Sequence, residues 1–256
     1  MLRNNLSKII ILIIVLSSST AVLAAPASNY DLAVMHAALH QAGVSLAPLT
    51  TLQGSTVRMV TFTSYTGYKT SDSQLGATIW TVAQADLKKV CRQYLRENKQ
   101  HLTPQQLALW IAQLLGLPET NAEKRRLVVL DIPVIQAYYG SSPSHIGIFR
   151  PCTDPRIGAH NDDSPICPKQ MNPADSYIAS EYKTWFINNN ISSYDAEKGA
   201  PWTEYGYTYN WNPAASSVYG VAEFVVLKST PMTVVANPDD ARSAYVTPEQ
   251  FCGHSY

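Results

Sequence analysis

Long apolar runs are scarce in this chain. Beyond residue 24 none approaches the roughly 20 residues that a membrane-spanning helix needs. Charge is sparse as well. Only 15% of residues are charged, with 19 basic against 19 acidic, which excludes the basic footprint of a nucleic-acid binder. No Cys-x-x-Cys pair occurs, so the usual zinc frameworks are missing. Gly-x-Ser-x-Gly is absent, which removes the strand-turn-helix elbow of a serine hydrolase, and Gly140-Ser-Ser-Pro-Ser144 reads only as a turn. There is no Gly-x-Gly-x-x-Gly and no phosphate loop, so neither a dinucleotide turn nor a nucleotide cradle can be placed.

What the chain does have begins with a three-part leader. Arg3 and Lys8 give a positive start, Ile9 to Leu16 is uninterruptedly apolar, and Val22-Leu23-Ala24 ends with small residues where a signal peptidase requires them. The apolar core of about eight residues makes roughly 12 Å of helix against about 30 Å of hydrocarbon. The segment therefore reads as a cleavable signal peptide over residues 1–24, followed by an exported domain over 25–256 with no stable membrane span. Without Arg3 and Lys8, 17 bases face 19 acids, a formal charge of −2. The expected location is periplasmic or extracellular.

Four cysteines follow the leader, Cys91, Cys152, Cys167 and Cys252. An even count in an exported chain reads as two disulfides, for which three pairings exist. The favoured set is Cys152–Cys167, which closes a polar, proline-bearing loop, with Cys91–Cys252 clipping the C-terminus to an early helix.

Helical spacing of Leu32, Met35, Leu39 and Ala42 predicts a first helix over Asn29 to Ala42. Alternation of Val57, Met59 and Thr61 against Arg58, Val60 and Phe62 predicts a strand, and Ala77 to Val82 reads as another. The segment between them, Tyr65 to Gly76, reads as a polar loop. Helices are expected over Ala83 to Asn98 and Thr103 to Leu115. The second begins Thr-Pro-Gln-Gln, a capping hydroxyl ahead of a proline at the first helical position. Thr247-Pro-Glu-Gln repeats that start and predicts a short last helix carrying Cys252. Arg126 to Ile132 and His145 to Phe149 read as strands and Ala174 to Asn188 as a helix. Val221 to Leu227 and Met232 to Ala236 read as a hairpin through Lys228-Ser-Thr-Pro. Helices and strands mix without strict alternation, which points to a single α+β domain with a mainly antiparallel sheet and several packed helices.

No metal is expected. His36 and His40 stand four apart, but Ala37 occupies the place where a zinc-protease helix carries Glu. His160-Asn-Asp-Asp-Ser164 lacks the alternating acids, central Gly and final Glu of a calcium loop. Paired carboxylates of a glycosidase need no local motif, and Glu181, Glu204 and Glu223 are the candidates.

The most distinctive stretch is Pro201-Trp-Thr-Glu-Tyr-Gly-Tyr-Thr-Tyr-Asn-Trp211. On a strand, Tyr205, Tyr207 and Tyr209 would share one face, and Trp211 would continue the row. With Trp202 they make a candidate binding surface for a sugar, a partner protein or a small molecule. Glu223 then opens an otherwise apolar strand, where its charge needs either water or a functional reason.

Glu223-Phe-Val-Val-Leu-Lys-Ser-Thr-Pro-Met-Thr-Val-Val235 resembles the Glu-bearing strand of ADP-ribosyltransferases. Trp211 with Gly220-x-x-Glu223-Phe-Val resembles the end of NAD-glycohydrolase toxins. That likeness implies NAD as substrate and Glu223 as the residue orienting the nicotinamide ribose. It leaves the early Arg to Arg58 and finds no second Ser-Thr-Ser strand; Val221 replaces the paired acid of arginine-modifying members. More widely, Trp80-Thr-Val-Ala, Leu114-Leu-Gly-Leu-Pro118, Phe149-Arg-Pro-Cys-Thr-Asp-Pro155 and Pro201-Trp-Thr together resemble uncharacterised exported proteins of Gram-negative bacteria. The expected function is that of an exported effector or interaction protein without a predicted cofactor; the alternatives are an NAD-consuming enzyme and an aromatic-lined binding module.

Overall fold

In a computed structural model, the described residues are 28–37, 46, 48–98, 102–133, 148–151, 179–195 and 198–253. The leader, Cys152, Cys167, His40 and the loop from His160 to Ser164 lie outside them, as does Glu181 as far as its side chain is concerned.

The sheet starts from the alternating segment. Strand β1 (Thr56–Thr63) pairs along its whole length with β3 (Arg126–Pro133), from Thr56↔Pro133 to Thr63↔Arg126. Its other edge takes β2 (Ile79–Ala83). Adding β4 (Ile148–Phe149), β6 (Tyr219–Val226) and β7 (Thr233–Val235) gives the order β4-β6-β2-β1-β3-β7, with β5 (Tyr207–Tyr209) joined to β6. Every described pairing is antiparallel. The α+β expectation holds in a single domain.

Because successive side chains of a strand point to opposite faces, the sheet carries a core on each side. Val60, Phe62, Val82, Leu127, Val129 and Val221 face the helices α2 (Gln84–Asn98), α3 (Pro104–Leu114) and α5 (Pro248–Gly253). Val57, Met59, Val128, Leu130, Ile132, Phe224 and Val226 form the other core. On the helix side Leu87, Leu107 and Ile111 are buried. Thr103 caps α3 through a capping box with Gln106, and Thr247 with Gln250 repeats those contacts at α5. Cys91 of α2 and Cys252 of α5 form a disulfide inside this core, with Cα atoms 5.6 Å apart.

Three expectations need correction. Val221–Leu227 and Met232–Ala236 do not make a hairpin. β6 is flanked by β2, β4 and β5, whereas β7 fills the vacant edge of β3. After Val226 the chain turns away and binds the supposed loop instead: Ser229 N donates to Leu75 O, Leu75 N to Thr230 O, and Met232 N to Ser73 O.

Helix α1 (Asn29–Ala37) buries Ala33, Val34 and Ala37, and leaves Leu32 and Met35 exposed. The small residues allow close approach to Tyr209 and Trp211, so the packed face is rotated from the one that large side chains suggested.

Helix α4 (Ala179–Ser193) runs to Ser193 rather than ending at Asn188. Smaller shifts place β2 at Ile79–Ala83 and start α2 at Gln84. Among the described residues no helix is long and apolar enough to cross a membrane.

Candidate functional site

Glu223 lies in the middle of β6, between Val221 and Val225 on the helix-facing side. An apolar residue would continue the core there. Instead a carboxyl stands opposite Val82 and lines a cleft of about 310 Å³. It is 6% exposed. Burial pushes its pKa well above the ordinary 4.5, while the Trp202 hydrogen bond and the Arg150 charge work in the opposite direction. Desolvation dominates because the carboxyl receives one hydrogen bond and has no ion-pair partner among the described residues.

That hydrogen bond comes from Trp202, whose indole Nε1–H donates to Oε1 at 3.1 Å. Trp202 is held from several sides. It bridges to Thr208, its carbonyl accepts from the Tyr194 hydroxyl at 2.8 Å, and its ring meets those of Trp80, Trp185 and Phe186. The turn after it is tight. Glu204 and Gly206 have φ of 59° and 77°, and Thr203 Oγ1 donates to the Tyr207 carbonyl. Gly206 O then accepts from Glu223 N at 2.9 Å, which ties the turn to the strand carrying the acid.

The five aromatics singled out in the sequence do not form one surface. Tyr205 lies in the turn and outside β5, and a register shift separates Tyr207 from Tyr209. Tyr205 and Tyr207 pack on Tyr219, while Tyr209 and Trp211 join the α1 cluster. All five are buried, and of them Trp202 alone lines the cleft. Positive φ at Glu204 and Gly206 keeps Tyr205 in the turn, and the register shift between Tyr207 and Tyr209 splits the row.

The side chains that do line the cleft include one that the sequence pattern did not single out. Trp80 of β2 is 37% exposed, and its ring centroid lies 5.9 Å from that of Trp202 at an interplanar angle of 73°. Its signal was its place on β2, where Trp80 and Val82 sit opposite Val225 and Glu223. Val60, Phe62, Leu115 and Leu117 supply apolar wall; Asn189, Ser192 and Ser193 of α4 and Lys198 supply polar groups. Gly116, with φ of 69°, also lines the cleft, and a Cβ there would stand 3.2 Å from the Pro201 and Tyr209 carbonyls.

The other candidates fall elsewhere. Glu204 is buried and accepts from the Asn190 amide and, at 3.0 Å, from Tyr194 Oη, so it fastens the aromatic turn to α4 outside the cleft lining. Arg58 forms a bidentate pair with Asp131, at 2.6 and 2.8 Å, and does not line the cleft. Arg150 is completely buried over the Phe224 ring, 4.6 Å from its centroid, and donates through Nη2 to the Thr50 carbonyl. Burial lowers its pKa to about 10. His36 is exposed, and no cluster of three or more His, Cys, Asp or Glu able to hold a metal occurs among the described residues.

The arrangement is an apolar cleft with an aromatic corner and one buried carboxyl that can donate a proton, accept a hydrogen bond or face a positive charge. No protein-family model, curated protein or solved structure matches this chain.

Proposed function

We propose that this is an exported effector or binding protein that acts through the Glu223 cleft on a small molecule. The observation that carries the reading is the buried Glu223 carboxyl in the wall of a concave, mainly apolar site. A carboxyl taken out of water destabilises the fold unless it is paired, and such groups concentrate where ligands or reactions use them. Enclosed, mostly apolar clefts with a few convergent polar groups are the usual form of small-molecule sites. The three-part leader supports export.

The test is a thermal-shift screen of small metabolites against the wild type, Glu223→Gln and Trp80→Ala. A ligand present at a hundred times its Kd adds about 2.7 kcal/mol to unfolding. We expect stabilisation that either substitution removes. Stabilisation that survives both would refute a role for the cleft.

A second reading, NAD cleavage, is supported by Glu223 lying in a cleft that also presents Ser192 and Ser193. Glu223 would orient the ribose and stabilise the developing positive charge. The Arg58–Asp131 pair removes the expected arginine from that role. Nicotinamide release that is equal in the wild type and Glu223→Gln would dismiss this reading.

A further inference from the structure

We propose that the ligand of the Glu223 cleft is a small organic cation, a charged ring or a quaternary nitrogen, seated in the corner of Trp80 and Trp202 with the Glu223 carboxylate as its counter-ion. This rests on the cleft being the active surface.

The corner is formed by two indoles meeting at 73° with centroids 5.9 Å apart, both lining the cleft. Aromatic rings attract a cation through their negative faces, most strongly when water is excluded. Trp202 places the acid beside this corner, because its own N–H holds Oε1. That is the carboxyl's one hydrogen bond among the described residues, which leaves Oε2 for a ligand.

The distribution of charge points the same way. Glu223 and Lys198 are the only titratable side chains among the described residues lining the cleft, and Lys198 is exposed. Arg150 belongs to the other face of β6, where it covers Phe224, the residue after Glu223. Its charge therefore reaches the carboxyl across the strand, without an ion pair. Burial favours the protonated form of the acid while the cleft is empty. A bound cation supplies the missing partner, expels that proton and occupies the aromatic corner. A neutral ligand gives no such exchange.

The experiment is a calorimetric titration of the whole mature protein between pH 5 and 8.5 with three probes. These are 1-methylnicotinamide, its neutral counterpart nicotinamide, and choline. We expect at least one cation to bind at least tenfold more tightly than nicotinamide, to tighten as pH rises and to release protons. Comparison of the two cations distinguishes a charged ring from a quaternary nitrogen. Glu223→Gln should weaken cation binding at least tenfold and abolish the proton release. Trp80→Ala, at a half-exposed position, should weaken it without changing the proton count.

Nicotinamide binding as tightly as the cations overturns the charge assignment but leaves the cleft as the site. Failure of both cations to bind overturns that assignment as well. Cation binding unchanged in both variants places the ligand elsewhere and overturns the reading of the cleft itself.

Discussion

A glutamate buried between Val221 and Val225 is the residue on which the functional reading turns. In the unfolded chain its proton leaves near pH 4.5, and in the folded protein burial holds that proton to higher pH. Over that window the native state binds more protons, so wild-type stability falls as pH rises and levels off once the folded carboxyl ionises. Glu223→Gln lacks this titration. Urea unfolding of both proteins should show the variant gaining on the wild type by about 1.4 kcal/mol per pH unit across the window; parallel curves would contradict the burial. Trp202→Phe keeps a ring but removes the N–H, and should raise the Glu223 pKa further. The acid was legible because a charge interrupts an apolar strand. Trp80 was not, because a tryptophan in a strand looks the same in sequence whether it packs in a core or lines a cleft.

Elements were legible where local chemistry decides them. Thr103-Pro-Gln-Gln specifies a helix start without outside help, and the Thr103 hydroxyl caps α3 as the sequence implies, with Gln106 completing a capping box. Thr103→Ala should cost about 1 kcal/mol, read as a fall in Tm of roughly 2–4 °C. Partner choice was not legible. Met232–Ala236 follows β6 in sequence, yet its strand pairs with β3, and that depends on the order of β2, β1 and β3 in the sheet. The turn chemistry of Lys228-Ser-Thr-Pro fits either outcome. Gly220, at the start of β6, shows how closely that strand is approached. A Cβ there would lie 2.3 Å from Thr208 Oγ1 and 2.6 Å from the Leu114 carbonyl. Gly220→Ala should therefore destabilise by about 1–3 kcal/mol, measurable by the same urea assay, and a neutral effect would show that β5 and α3 yield freely.

For the molecule as a whole, the Cys91–Cys252 disulfide fastens the C-terminal helix to α2 across a sequence separation of 161. Both residues are essentially inaccessible, so the bond belongs to the core that holds α2, α3 and α5 on the sheet. In the chain-entropy model a closure of this length is worth about 5 kcal/mol. The Cys91→Ala, Cys252→Ala double variant should lose roughly 2–5 kcal/mol in equilibrium unfolding, and an unchanged midpoint would refute a stabilising bond. Its pairing was legible by elimination, from the even cysteine count and the polar loop that favoured joining Cys152 to Cys167. The bonding of the segment 73–75 to the β6–β7 connection was not, because it arises from contacts distant in sequence.

The site's central physical claim is a carboxyl withdrawn from water inside the cleft. Carbon-13 NMR titration of the Glu223 side-chain carboxyl, assigned by comparison with Glu223→Gln, measures it directly. The midpoint should lie well above 4.5. A midpoint at or below that value would mean a solvated or ion-paired acid, and would contradict that claim.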